Sequence, residues 1–197
     1  MKRLIPVVLF AALVSASRSV ADEALGIEKA FANSTDVPAS VAADVEKNLE
    51  DWQRACLAET TKTTAMDALE AADIDLGNAA RTLLLKPRLP SGPKSAWGCF
   101  CGAYACWMQV YSFDGVKARR ILHSAGVWLD IIDRKDKGLK RLLLGSGSAG
   151  HQERKLYAWD GREYTALREM SVILGQGKDK DEKSEAELEN FQNHVMQ

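Results

Sequence analysis

The sequence predicts an α+β fold: an N-terminal helix packed on a mainly antiparallel β-meander of two four-strand units, stapled by disulfides. Three observations predict it. Val41, Val45, Leu49, Trp52 and Cys56 recur three or four residues apart, which puts them on one helical stripe. From about residue 67, short aliphatic runs and partly alternating segments between turn residues replace that period. Finally, Cys99, Cys101 and Cys106 cluster in one stretch that runs straight into an alternating strand.

The chain opens on the basic triplet Met1-Lys2-Arg3. An apolar run from Leu4 to Ala16 follows, about 13 residues against the ~20 that span a bilayer. Ser19-Val20-Ala21 offers a small-x-small cleavage site, so residues 1–21 read as a signal peptide and the protein as periplasmic or secreted. No cysteine follows closely enough for a lipid anchor, and no later segment is apolar enough to cross a membrane. Losing the leader removes Lys2, Arg3 and Arg18 and takes the formal charge from −1 to −4. That acidic balance, together with export, argues against nucleic acid as a partner. Residues 22–174 then form one domain. Four cysteines in an oxidising compartment predict two disulfides. Of the possible pairings, Cys101 with Cys106 and Cys56 with Cys99 is favoured. Cys99 and Cys101 flank one residue and point the same way in an extended chain, which disfavours a bond between them.

Residues 22–36 are a lead-in anchored by Leu25, Ile27 and Phe31. The helical region covers 36–58, with Pro38 in its first turn, Asp36 as the candidate cap and Trp52 in the core. The β units cover about 67–123 and 127–168, and their features come in the same order. Asp73-Ile74, Leu83–Leu85, Tyr111 and Asp114-Gly115 in the first match Asp130-Ile131, Leu142–Leu144, Tyr157 and Asp160-Gly161 in the second. The hairpins align at an offset of 46 residues, and the wider spacing of the leucine runs is absorbed by the segment from Pro87 to Cys106. The ordered match predicts an internal repeat, with both Asp-Gly pairs as two-residue hairpin turns. Two units are too few to close a propeller. One continuous sheet or a small sandwich is expected instead, with helix over an open face. Residues 175–197 read as a charged flexible tail, in which Ser184–Glu187 caps a short helix carrying Leu188, Phe191 and Val195.

Asp73-Ile-Asp75-Leu-Gly-Asn78 with Leu83–Leu85, and Tyr157-Ala-Trp-Asp-Gly-Arg-Glu-Tyr164, carry a family likeness. Over about residues 67–167 the chain resembles the degenerate repeats of exported bacterial FG-GAP or VCBS-type proteins. The resemblance implies repeated β units and, where the Asp loop is intact, a calcium site. Here the first loop keeps only Asp73, Asp75 and Asn78. The second spaces Asp130, Asp133 and Asp136 with Arg134, Lys135 and Lys137 among them. Calcium takes six to eight oxygens, so neither a metal nor a cofactor is expected.

Gly145-Ser-Gly-Ser-Ala-Gly150 matches G-x-G-x-x-G, but a dinucleotide site needs a helix next, and a strand pattern follows. The segment therefore reads as a connection between strands. Ser146, Ser148 and His151 supply the rival function, a periplasmic hydrolase using the loop Gly145–His151. The G-x-S-x-G elbow is missing, however, and no two histidines have metal-ligand spacing. Trp97, Trp107, Trp128 and Trp159, with Tyr104, Tyr111, Tyr157 and Tyr164, are many aromatics for one β domain. Strand alternation turns some of them outward, where a binding surface uses them. The expected function is non-enzymatic: an exported binding protein of the bacterial envelope, acting on a protein or another envelope macromolecule. An inhibitor or immunity-type protein is one form of it.

Overall fold

The N-terminal stripe folds as two helices rather than one. Pro38, not Asp36, is the N-cap of α1 (Ala39–Asn48), and its carbonyl accepts the N–H groups of Val41 and Ala42 at 2.9 Å each. Leu49 is extended (φ −63°, ψ 138°), and α2 (Asp51–Thr60) starts afresh. The Gln53 side chain fixes the break by accepting the Glu50 N–H at 3.1 Å. The reset rotates the stripe. Gln53 and Leu57 are buried with Val41, Val45 and Leu49, whereas Trp52, expected in the core, is 54% exposed. A short α3 (Ala65–Ala68), held by a Thr64–Asp67 capping box, leads into the sheets.

In this computed structural model the described residues are 31, 34–60, 64–88, 96–148 and 151–173, with positions 186, 190, 191, 193 and 195. The predicted signal peptide and most of the predicted tail lie outside them. Strands β1 (Leu69–Asp73), β2 (Thr82–Pro87), β3 (Cys106–Asp114) and β4 (Lys117–Gly126) form one antiparallel meander. A second is formed by β5 (Trp128–Asp136), β6 (Leu139–Ser148), β7 (His151–Trp159) and β8 (Tyr164–Ile173). Leu83 pairs with Tyr111 as Leu142 pairs with Tyr157. The third and fourth strands of each sheet slip register at one point. The extra residue is Ile121 beside Val110–Tyr111 and Leu167 beside Leu156–Tyr157.

The turns depart from the Asp-Gly expectation. Asp114 pairs with Lys117, so the loop is Gly115-Val116, with Gly115 alone at positive φ (58°). This is the glycine-first kind of two-residue turn. Asp160-Gly161 instead opens a longer connection up to Glu163. There Asp160 Oδ1 accepts the N–H groups of Arg162 and Glu163 at 2.7 and 2.8 Å. Positive φ at both central positions occurs at Lys137-Gly138 (46° and 100°), between paired Asp136 and Leu139.

The sheets stack with unlike faces together. Leu84, Met108, Val110, Ile121 and Leu122 of the first pack on Leu129, Leu142, Leu144, Tyr157 and Trp159 of the second. By strand register Leu84 and Val110 correspond to Leu143 and Leu156, which point away from that interface. Corresponding ends also meet. The Lys140 N–H donates to the Leu76 carbonyl at 2.9 Å, and the Gly147 N–H to the Tyr104 carbonyl at 2.8 Å. The two outer faces therefore differ, and each has its own helical cover. Leu83, Leu85 and Tyr111 pack with Val41, Val45 and Leu57, while Ile132, Leu143 and Leu156 pack with Phe191 and Val195 near the C-terminus. The sandwich expected to carry one helical cover carries two.

Candidate functional site

Two disulfides position the site. Cys56–Cys99 ties α2 to the turn Ala96–Cys99, with the Cα atoms 5.6 Å apart, and Cys101–Cys106 closes the loop that enters β3. Among the described residues no cysteine is free. The bridges bring the α1–α2 junction beside the start of β3 and the end of β4, where a groove of about 640 Å³ opens. Glu50 and Trp52 from the helical cover, Phe100 and the Cys101–Cys106 loop, and Trp107 and His123 from the strands line it.

Strand alternation explains why these side chains converge. On β3 it puts Trp107, Gln109, Tyr111 and Phe113 on the helix-covered side, and Gln109 lies opposite His123 on β4. The helices bury Tyr111 and Gln109 but leave Trp107 and His123 at the margin. Trp107 packs on Phe100 at 5.6 Å between ring centroids and meets His123 edge-on at 5.9 Å. The Trp52 indole N–H donates to Glu50 Oε2. Gly98 leaves the rim open, since a Cβ there would meet nothing within 4 Å.

The electrostatics are simple. Burial holds the His123 imidazole below its ordinary pKa; Arg120 adds to this and Glu50 opposes it. His123 is therefore neutral near pH 7. Among the described lining residues the Glu50 carboxylate is then the only formal charge. Behind the groove the Tyr111 hydroxyl donates to Asp44 at 2.8 Å and stands 2.7 Å from the Gln109 side-chain amide. Burial, and then the Asp44 contact, pushes the phenol well above its ordinary pKa, so it stays a donor.

Of the G-x-G-x-x-G residues, Gly145 and Gly147 have packing roles, and Ala149 and Gly150 lie outside the described residues. Gly145 to Ser148 belong to β6 itself, so the connection is shorter than the sequence suggests. A Cβ on Gly145 would stand 1.9 Å from the Trp128 indole, and the Arg154 guanidinium lies 4.4 Å from that ring. Gly147, at φ 135°, sits where a Cβ would strike the His151 carbonyl oxygen at 2.1 Å. His151 meets Ser171, at 2.8 Å from Nε2, rather than Ser146, whose hydroxyl donates to Glu153 at 3.1 Å. Glu153 lies 3.9 Å from the same Nε2, whereas an orienting acid belongs on the other ring nitrogen.

The acidic loops are engaged by cations. Asp73 pairs with Arg81 at 2.8 Å, Asp136 with Arg141 at 2.5 Å, and Lys140 stands 3.5 Å from both Asp75 and Asp133. Among the described residues no group of three or more His, Cys, Asp or Glu is placed to hold a metal, and no helix is long and apolar enough to cross a membrane. A second recess of about 680 Å³ lies between α1, α2 and α3. Its polar side chains are spent on helix ends: Arg54 donates to the Glu46 carbonyl at 2.6 Å, and Glu46 Oε1 accepts the Ala65 N–H at 2.9 Å.

The sequence singled out the cysteines but not Glu50, Phe100 or His123 as site residues. A signal was present. Trp52 stands one helical turn before Cys56, and Cys106 directly precedes Trp107, so a Cys56–Cys99 bond brings the two indoles into one neighbourhood. No protein-family model, curated protein sequence or solved structure matches the chain.

Proposed function

We propose that the protein is an exported, non-enzymatic binding protein of the bacterial envelope, and that the disulfide-framed aromatic groove engages a polypeptide partner. One observation carries this reading. Trp52 is 54% exposed and lines a groove that Phe100 and Trp107 also line. Leaving about half of an indole in water forgoes roughly 1 kcal/mol or somewhat more, about half of what full burial of a large apolar side chain gives, and a partner covering it would recover that energy. Tryptophan is among the residues enriched at the energetic centres of protein interfaces. Two disulfides are compatible with the oxidising compartment that the leader implies.

The same reading takes the two four-strand units as copies of one repeat, akin to FG-GAP or VCBS-type units that have lost their calcium loops. The shared register and the shared bulge support it. A photo-reactive residue placed at Gly98 tests the groove, because a side chain there meets nothing within 4 Å. The expected result is a crosslinked adduct from Gly98 in envelope extracts, lost on Trp107→Ala, and none from the exposed turn residue Val116. Equal labelling from both positions would remove the groove from consideration.

A further inference from the structure

We propose, resting on the binding reading above, that the groove takes a lysine side chain of its polypeptide partner and holds the ammonium group between aromatic faces and Glu50. Charge complementarity points there. Among the described lining residues the Glu50 carboxylate is the one formal charge, and none of them is a lysine or arginine. Arg120 acts electrostatically on His123 but is not among the described residues that line the groove. Phe100, Trp52 and Trp107 supply the aromatic surfaces. A cation set against such faces gains from their ring quadrupoles, most of all over tryptophan, and the gain grows as water is excluded.

The geometry selects ammonium over guanidinium. The Trp52 indole N–H already occupies Glu50 Oε2, which leaves Oε1 to receive a new donor. A guanidinium fork is best satisfied by two free carboxylate oxygens, whereas an ammonium is a compact point charge that one oxygen can serve. A lysine stem is also apolar and lies along apolar walls while its head reaches the charge. Phe100 and Ala105 offer such walls near the disulfide loop.

The test is an NMR titration of the purified protein, following the indole N–H signals of Trp52 and Trp107. The probes are acetyl-Gly-Lys-Gly-amide and its norleucine counterpart, which keeps the stem and lacks the charge. The expected result is saturable shifts with the lysine peptide at a Kd on the order of millimolar and weaker or absent shifts with norleucine. Glu50→Gln should weaken lysine binding about tenfold, the factor that follows from losing a charge-assisted hydrogen bond. Equal responses to the two peptides would overturn the ammonium assignment while leaving an apolar binding groove in place. No response to either would overturn both the assignment and the groove. A lysine response unchanged by Glu50→Gln would likewise overturn the assignment.

Discussion

Removing the disulfides one at a time should separate their roles. The perturbations are the double substitutions Cys56→Ala/Cys99→Ala and Cys101→Ala/Cys106→Ala. The first bridge joins residues 43 apart and the second residues 5 apart. The chain-entropy relation between loop length and unfolded-state freedom then gives about 4 kcal/mol for the long bridge and about 2 kcal/mol for the short one at 25 °C. Burial widens the gap, because Cys99 is only 1% exposed and its truncation also loses packing beside Phe100 and Leu57. The short bridge works locally: it fixes the loop whose Tyr104 carbonyl accepts the Gly147 N–H. Urea unfolding, followed by far-ultraviolet circular dichroism, reads both costs as losses in the unfolding free energy extrapolated to water, with the slope rising as the opened bridge lets the unfolded chain expand. If losing Cys101–Cys106 proved as costly as losing Cys56–Cys99, the long bridge would not be the tie that holds the helical cover on the first sheet.

Three further outcomes follow from the packing and titration. Gly145→Ala should cost about 1–3 kcal/mol by overpacking against Trp128, seen as a lowered Tm, and most of that cost should vanish in a Trp128→Ala background. His123 has a folded pKa below its ordinary 6.5, so the folded protein binds fewer protons than the unfolded chain as pH falls. Its contribution is present above about pH 6.5 and is lost as pH drops through the folded value, so His123→Gln should flatten the fall in stability on the acid side of about pH 6.5. Ile121 and Leu167 occupy the same bulge position, yet one is 1% and the other 55% exposed. Ile121→Ala should therefore cost about 2–5 kcal/mol, and Leu167→Ala should change the unfolding free energy from the same urea titration by no more than about 0.5 kcal/mol.

What the sequence made legible was local. The leucine runs, the aromatic strand positions and the cysteine cluster are short patterns whose period or spacing is set by their own backbone, and they fold as two four-strand meanders. The helix break was hidden because a stripe at spacings of three and four is blind to a single extended residue. Leu49 supplies that residue, and everything after it, Trp52 first, turns by a new phase. The turns misled for a related reason. Asp-Gly suits a two-residue hairpin, but strand register decides which residues occupy its tip, and that register is fixed by leucine and tyrosine pairing elsewhere in the sheet. Lys137-Gly138 carries the twist-matched turn without the usual asparagine or aspartate at its first central position.

The groove was not legible because it depends on how the units stack. If like faces had met, the two outer surfaces would have been equivalent, and one kind of helical cover would have served both. Unlike faces meet instead, so Leu83, Leu85 and Tyr111 are left at one end and Ile132, Leu143 and Leu156 at the other. The first end differs from the second by a buried polar pair, Gln109 and Tyr111, which needs a partner as well as a cover. Asp44 on α1 provides the partner, and meeting it fixes where α1 lies on the sheet. With α1 fixed there, the break at Leu49 carries α2 past Trp107 and His123 without covering them, and the Cys56–Cys99 bond locks that position. The exposed aromatic groove is thus a consequence of anchoring the cover by one buried hydrogen bond and one disulfide. A cover held by apolar contact alone would be free to slide and bury Trp107.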